Sequence, residues 1–188
     1  MIYDLPNAVD INGKEYEINS DFRCILDIFE VLSDNELVSR ERAFYALGYF
    51  YPDFAEMPPE DYEEAGKKLF WFIDGGQEQT QEARKAPKVM DWEQDFPYII
   101  GPVNKIIGHE IRNDKHLHWW TFLAAYMDIG ECLFAQIVSI RQKIAAHKKL
   151  EKHEKEWYHK NRKLVDLHTS LKYTAAEMEF MKSLSGGG

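Results

Sequence analysis

Cysteine is nearly absent: Cys24 and Cys132 are the only two in 188 residues. Two sulfurs so far apart make neither a disulfide framework nor a zinc site, and they point to a reducing, cytoplasmic setting. Long apolar runs are missing too. None approaches the roughly 20 residues that a membrane-spanning helix needs. The opening MIYDLPNAVDING has neither a basic start nor an apolar stretch, so no signal peptide is expected. Motifs that carry chemistry are equally scarce. HExxH, GxSxG and GxxxxGK[ST] do not occur. His147, His153 and His159 are spaced by six, which spreads them around a helix, and His116 and His118 fall on roughly opposite sides of one. The many carboxylates read as solvated helix faces. Neither metal, cofactor nor catalytic residues are expected.

Acid, by contrast, is plentiful, and the net charge is −9. Residues 1–100 carry 22 acidic against 9 basic side chains, net −13, whereas residues 141–172 carry 4 against 10, net +6. A dedicated DNA-binding domain is usually basic throughout, so an acidic body with a basic end argues against one. Single-strand binding needs aromatics among bases, and residues 147–163 (HKKLEKHEKEWYHKNRK) offer Trp157 and Tyr158. The interleaved Glu151, Glu154 and Glu156 instead suit a charged, solvated helix laced by i,i+3 and i,i+4 pairs.

With 45% hydrophobic and 14% aromatic residues the chain can fold around a core. Residues 8–18 (AVDINGKEYEI) alternate about Asn12-Gly13, the strongest short hairpin signal, because both turn residues must reach positive φ. Helical patterns follow. Ser20 is read as the cap of a first, lined by Phe22, Ile25, Leu26, Phe29 and Leu32. Ser39 is read as the cap of a second, lined by Ala43, Leu47 and Phe50 and stopped by Pro52. Pro58-Pro59 opens a third, with acids early and lysines later, as the helix dipole favours. Its stripe is Tyr62, Ala65, Leu69, Phe72 and Ile73, and Gly75-Gly76 stops it. Residues 74–90 show no period and read as a flexible loop. Asp91 with Gln94 resembles a capping box for a helix carrying Phe96, Ile99, Ile100, Val103, Ile106 and Ile107 to Gly108. Pro97 and Pro102 fit it poorly, and Pro102 is expected to kink or split it. A helix from about Lys115 to Met127 is apolar nearly all round, the mark of a buried one, and another runs from Glu131 towards Ile144. A basic, solvated helix follows, then a short one within residues 174–184.

These signals describe a mainly α protein. A small N-terminal β-hairpin packs on a compact multi-helix domain (residues 1–144), and a basic helical extension with a flexible tail ends the chain (residues 145–188). Candidate partner-binding aromatics are Phe70 and Trp71, which lie off their helix's inner stripe, Trp157 with Tyr158, and whichever of Trp119 and Trp120 stays uncovered. Adjacent helical residues diverge by about 100 degrees, so both tryptophans are buried only if the helix is covered on two sides.

Three stretches, DWEQDFPYI, LHWWTFLAAYMDIG and FAQIVSIR, together with INGKEYEINSDFRCILDIFEVL and LFWFIDGG, strongly resemble a tailed-phage family, the bacteriophage gene-product-fifteen family. The resemblance covers roughly residues 2–141. Its motifs are specific as a set. Genes of that family lie between the major tail protein and the tape measure, the usual position of tail assembly chaperones. The resemblance therefore implies a non-enzymatic chaperone in the cytoplasm of the infected host. It would bind the tape measure protein, recruit tail tube subunits, and be absent from the mature virion; a second copy of the chain is a further candidate partner. A structural tail or connector component is the alternative, and a nucleic-acid-binding regulator a weaker one. Pro97, Pro102 and the long basic region after Arg141 depart from the family's pattern. The basic C-terminal helix is expected to act as an arm on the client or on a neighbouring copy's acidic body.

Overall fold

The computed structural model describes residues 4–77, 87–168, 179–180 and 182–184. The expected hairpin is present: β1 (Ala8–Ile11) pairs antiparallel with β2 (Lys14–Glu17), Val9 opposite Tyr16. Asn12 and Gly13 both take positive φ, 53° and 84°, as the tight turn requires. The hairpin is fastened to the body by one carboxylate. Asp61 accepts from Asn12 Nδ2 (2.7 Å) and from the Tyr16 hydroxyl (2.8 Å). Those two bonds hold its carboxyl below the usual range.

Helix α1 (Phe22–Ser33) buries Phe22, Cys24, Ile25, Ile28 and Leu32. Its cap is Asp21, not the expected Ser20: the Asp21 carboxylate accepts from Arg23 N–H at 2.9 Å. Ser20 donates to Asn7 instead. Helix α2 (Ser39–Phe50) likewise starts one residue away from expectation, with Val38 at the cap and Glu41 accepting its N–H at 3.0 Å. Ala43, Leu47 and Phe50 are buried as expected. Tyr51, held extended before Pro52, ends the helix. A 3₁₀ turn at Pro59–Asp61 leads into α3 (Tyr62–Ile73), and Gly75 and Gly76 stop it at positive φ.

Of the aperiodic stretch 74–90, residues 78–86 lie outside the described residues. Its end is anchored: Lys88 Nζ lies 2.7 Å from the Asp91 carboxylate. Asp91 caps α4 (Trp92–Ile107), accepting from Gln94 N–H at 3.0 Å. The return bond comes from Asp95, whose carboxylate accepts from Asp91 N–H. Helix α4 is a single helix, not split at Pro102. The prolines sit off the buried stripe of Ile99, Ile100 and Val103. Gly101, lacking a Cβ, lessens the clash that a residue before proline suffers in a helix. Gly108 closes the helix at φ 93°.

Helix α5 (Trp119–Met127) is shorter than expected, since Lys115–Leu117 are not helical. Helix α6 (Leu133–Ala145) follows, capped by Cys132 through Ala135 N–H. The other cysteine, Cys24, is buried and donates to the Tyr49 carbonyl; burial pushes its thiol up to about 12, which leaves it inert as a nucleophile. The basic region forms α7 (Lys152–Lys160) and α8 (Arg162–Val165). Of the last expected helix, residues 174–178 lie outside the described ones, and Glu179, Phe180 and Lys182–Leu184 are helical.

One buried ion pair ties these parts together. Arg141, at the inner face of α6, forms a two-pronged pair with Asp95 of α4 at 2.6 and 3.0 Å. Its remaining donors reach the carbonyls of Val165 (2.6 Å), Leu164 (2.8 Å) and Val89 (3.2 Å). Gln94 Nε2 also donates to the Asp166 carbonyl at 2.9 Å. A buried guanidinium is costly unless its donors are used, and here all are. The EQD and IVSIR motifs thus meet in space.

Candidate partner-binding surface

The LHWW stretch answers to backbone geometry on both sides. Residues 20–22 run beside 117–119: Trp119 N–H donates to the Ser20 carbonyl at 2.7 Å, and Phe22 N–H to Leu117 at 2.9 Å. Asp21 also takes the Leu117 N–H at 2.9 Å. Beside it, Arg23 donates to the carbonyls of Ile111 and Asp114. His118 is therefore an N-cap. Its Nδ1 accepts from Trp120 N–H at 3.0 Å, so the proton sits on Nε2, which donates to the Pro6 carbonyl at 3.0 Å. Burial holds this imidazole below its ordinary value, which keeps it neutral. Among the described residues, no group of three or more His, Cys, Asp or Glu side chains converges to hold a metal.

The two tryptophans share one task. The Trp119 indole N–H donates to the Ile73 carbonyl and the Trp120 indole N–H to the Phe72 carbonyl, both at 2.8 Å. These carbonyls lie in the last turn of α3, where helical partners run out. Gly76 makes room: a Cβ there would stand 2.8 Å from the Trp120 ring. Trp119 is buried among Phe29, Trp92 and Phe122. Trp120 is half-buried, with Trp71 edge-on at 5.5 Å and Phe72 stacked at 5.7 Å.

Of the six candidate aromatics, then, Trp119 is core and presents no surface. Phe70 also departs from expectation. It is buried, because Phe180 covers it edge-on at a centroid distance of 5.1 Å. Trp71 and Trp120 form one half-buried edge, distant in sequence but adjacent in space. Trp157 and Tyr158 are half-buried on α7, with the Tyr158 hydroxyl donating to Asp166 at 2.8 Å.

A more exposed aromatic face escaped the sequence reading. On α2, Phe44 is 54% exposed, Tyr45 50% and Tyr49 48%. Tyr45 and Tyr49 are four residues apart, so they stand one above the other. Phe44 leans edge-on against Phe54 at 4.8 Å. The signal was available: a helix whose inner stripe is Ala43, Leu47 and Phe50 must turn Phe44, Tyr45 and Tyr49 outward. Large apolar side chains grouped outside a core mark interaction sites. Tyrosine suits them, with its apolar body and polar tip.

Among the described residues no helix is long and apolar enough to cross a membrane. No curated protein and no solved structure matches the chain. The family model described as Bacteriophage Gp15 protein matches residues 1–167, a span holding the hairpin, the tryptophan clasp and both partners of the buried ion pair. The chain is a member of that bacteriophage family.

Proposed function

We propose that this phage protein is a non-enzymatic tail assembly chaperone. It works in the host cytoplasm, binds the tape measure protein, and leaves before the virion matures. The carrying observation is the exposed pair Tyr45 and Tyr49 on α2 of an acidic body, with the exposed Phe44 about 100 degrees further round the helix. A long helical client offers an apolar stripe, and such stripes dock on apolar surface through i, i+3, i+4 and i+7 anchors. Three half-exposed rings supply contact without the fully desolvated pocket that makes binding permanent. The acidic body repels other copies of itself and attracts basic client segments.

The test is co-expression with the tape measure protein and affinity capture, beside mass analysis of purified virions. The intact chain is expected to hold the client in solution and to be missing from particles. Tyr45→Ser with Tyr49→Ser should weaken capture about tenfold or more, while changing stability by no more than about 0.5 kcal/mol, as exposed substitutions do. A chain that ignores the tape measure but sits in virions at fixed copy number is a structural tail component, and the chaperone reading fails.

A further inference from the structure

Glu179 and Phe180 lie against the edge of α1 and α2. Phe180 is 1% exposed and rests on Phe70. The Ser39 hydroxyl donates to the Glu179 carboxylate. Arg42 approaches the same carboxylate but stops at 3.6 Å. Arg42 itself is only 9% exposed, reaches the Leu32 carbonyl at 3.5 Å, and leaves its Nε without a partner. Burying a guanidinium with a donor unused is costly, and buried polar groups are nearly always satisfied. Beside it lies a shallow surface groove lined by Leu32, Ser39, Arg42, Glu179 and Phe180, which leaves no enclosed room beside the side chains already seated there. The contrast with Arg141, whose donors reach partners at 2.6 to 3.2 Å, is direct. The Arg42 groove takes a ring well and a carboxylate poorly.

We propose that this groove is a docking site for a short helical segment of another protein that carries an acidic side chain beside an aromatic one. Glu179 and Phe180 occupy the groove as an internal competitor. A carboxylate seated squarely on Arg42 would use its fork in the two-pronged way that guanidinium geometry favours. The aromatic neighbour would meet the edge of Phe70, as Phe180 does. An occupant tethered on the same chain has a high effective concentration, so it excludes weak ligands and yields only to better ones. The groove thereby selects for the acid that Glu179 fails to place.

The test uses the full chain and a labelled peptide of residues 174–185, TAAEMEFMKSLS, read by fluorescence anisotropy. The chain carrying Glu179→Ala and Phe180→Ala has an open groove and is expected to bind the peptide at least tenfold more tightly than the intact chain. Adding Arg42→Lys, which keeps the charge but loses the fork, should weaken binding about tenfold, with helical content by circular dichroism unchanged. A peptide whose Phe180 equivalent is alanine should not bind. No saturable binding to the open chain, or binding indifferent to Arg42→Lys, overturns the proposal. So does a concentration-dependent dimer of the intact chain that disappears in the open variant, since it makes a second copy the occupant.

Discussion

Gly76 and His118 show how single atoms set the centre of this molecule. Gly76 combines a positive φ of 79° with a Cβ position 2.8 Å from the Trp120 ring. Gly76→Ala therefore faces both backbone strain and a clash, and should cost more than about 1 kcal/mol, read from the urea midpoint. His118 gives a pH dependence whose sign follows from its cap. Its folded-state value is lowered below 6.5, so the unfolded chain binds the proton more readily. The stabilisation is complete above pH 6.5 and is lost as pH falls through the folded value. Urea midpoints should drop between pH 7 and pH 5, and His118→Asn, a cap that does not titrate, should flatten that part of the curve.

At the scale of elements, helix α4 tolerates two prolines because both lie off its buried stripe. Pro102 nonetheless offers no N–H to the Tyr98 carbonyl one turn back. Pro102→Ala should restore that bond and add about 1 kcal/mol, or roughly 2–4 °C in Tm for a chain of this size, measured by thermal unfolding. Element types were legible in the sequence where local chemistry decides them. Asn12-Gly13 announced the hairpin, and Pro52, Gly75-Gly76 and Gly108 announced helix ends. Starts were less legible. Ser20 and Asp21 are both able caps, and the choice falls to Asp21 because Leu117, 96 residues away, donates to its carboxylate. Leu117 continued the apolar pattern but was drawn, with His118 and Trp119, into pairing with residues 20–22, which no helical period reveals. The candidate surface was legible by elimination on α2 and illegible at Phe70, because what covers it comes from residue 180.

Across the whole molecule, the basic region is bonded to the body as well as attached in sequence. Arg141 holds Leu164 and Val165, and Gln94 holds Asp166. Removing residues 162–188 strips a buried guanidinium of two carbonyl partners and should lower stability by at least about 2 kcal/mol. Removing only residues 185–188 should change nothing. Equal urea midpoints for the two truncations and the full chain would show an extension independent of the body.

The buried ion pair at Arg141 also fixes an order of events during synthesis. The chain leaves the ribosome N-terminus first, and Asp95 emerges 46 residues before its guanidinium partner. Until then its carboxylate has no cation to bury against, and α4 cannot settle in its final seat. Val165 is translated later still. The nascent hairpin and first three helices therefore wait, incompletely closed, until Arg141 and the carbonyls of Leu164 and Val165 have emerged. A ribosome stalled before codon 141 should present them to proteases as an open form.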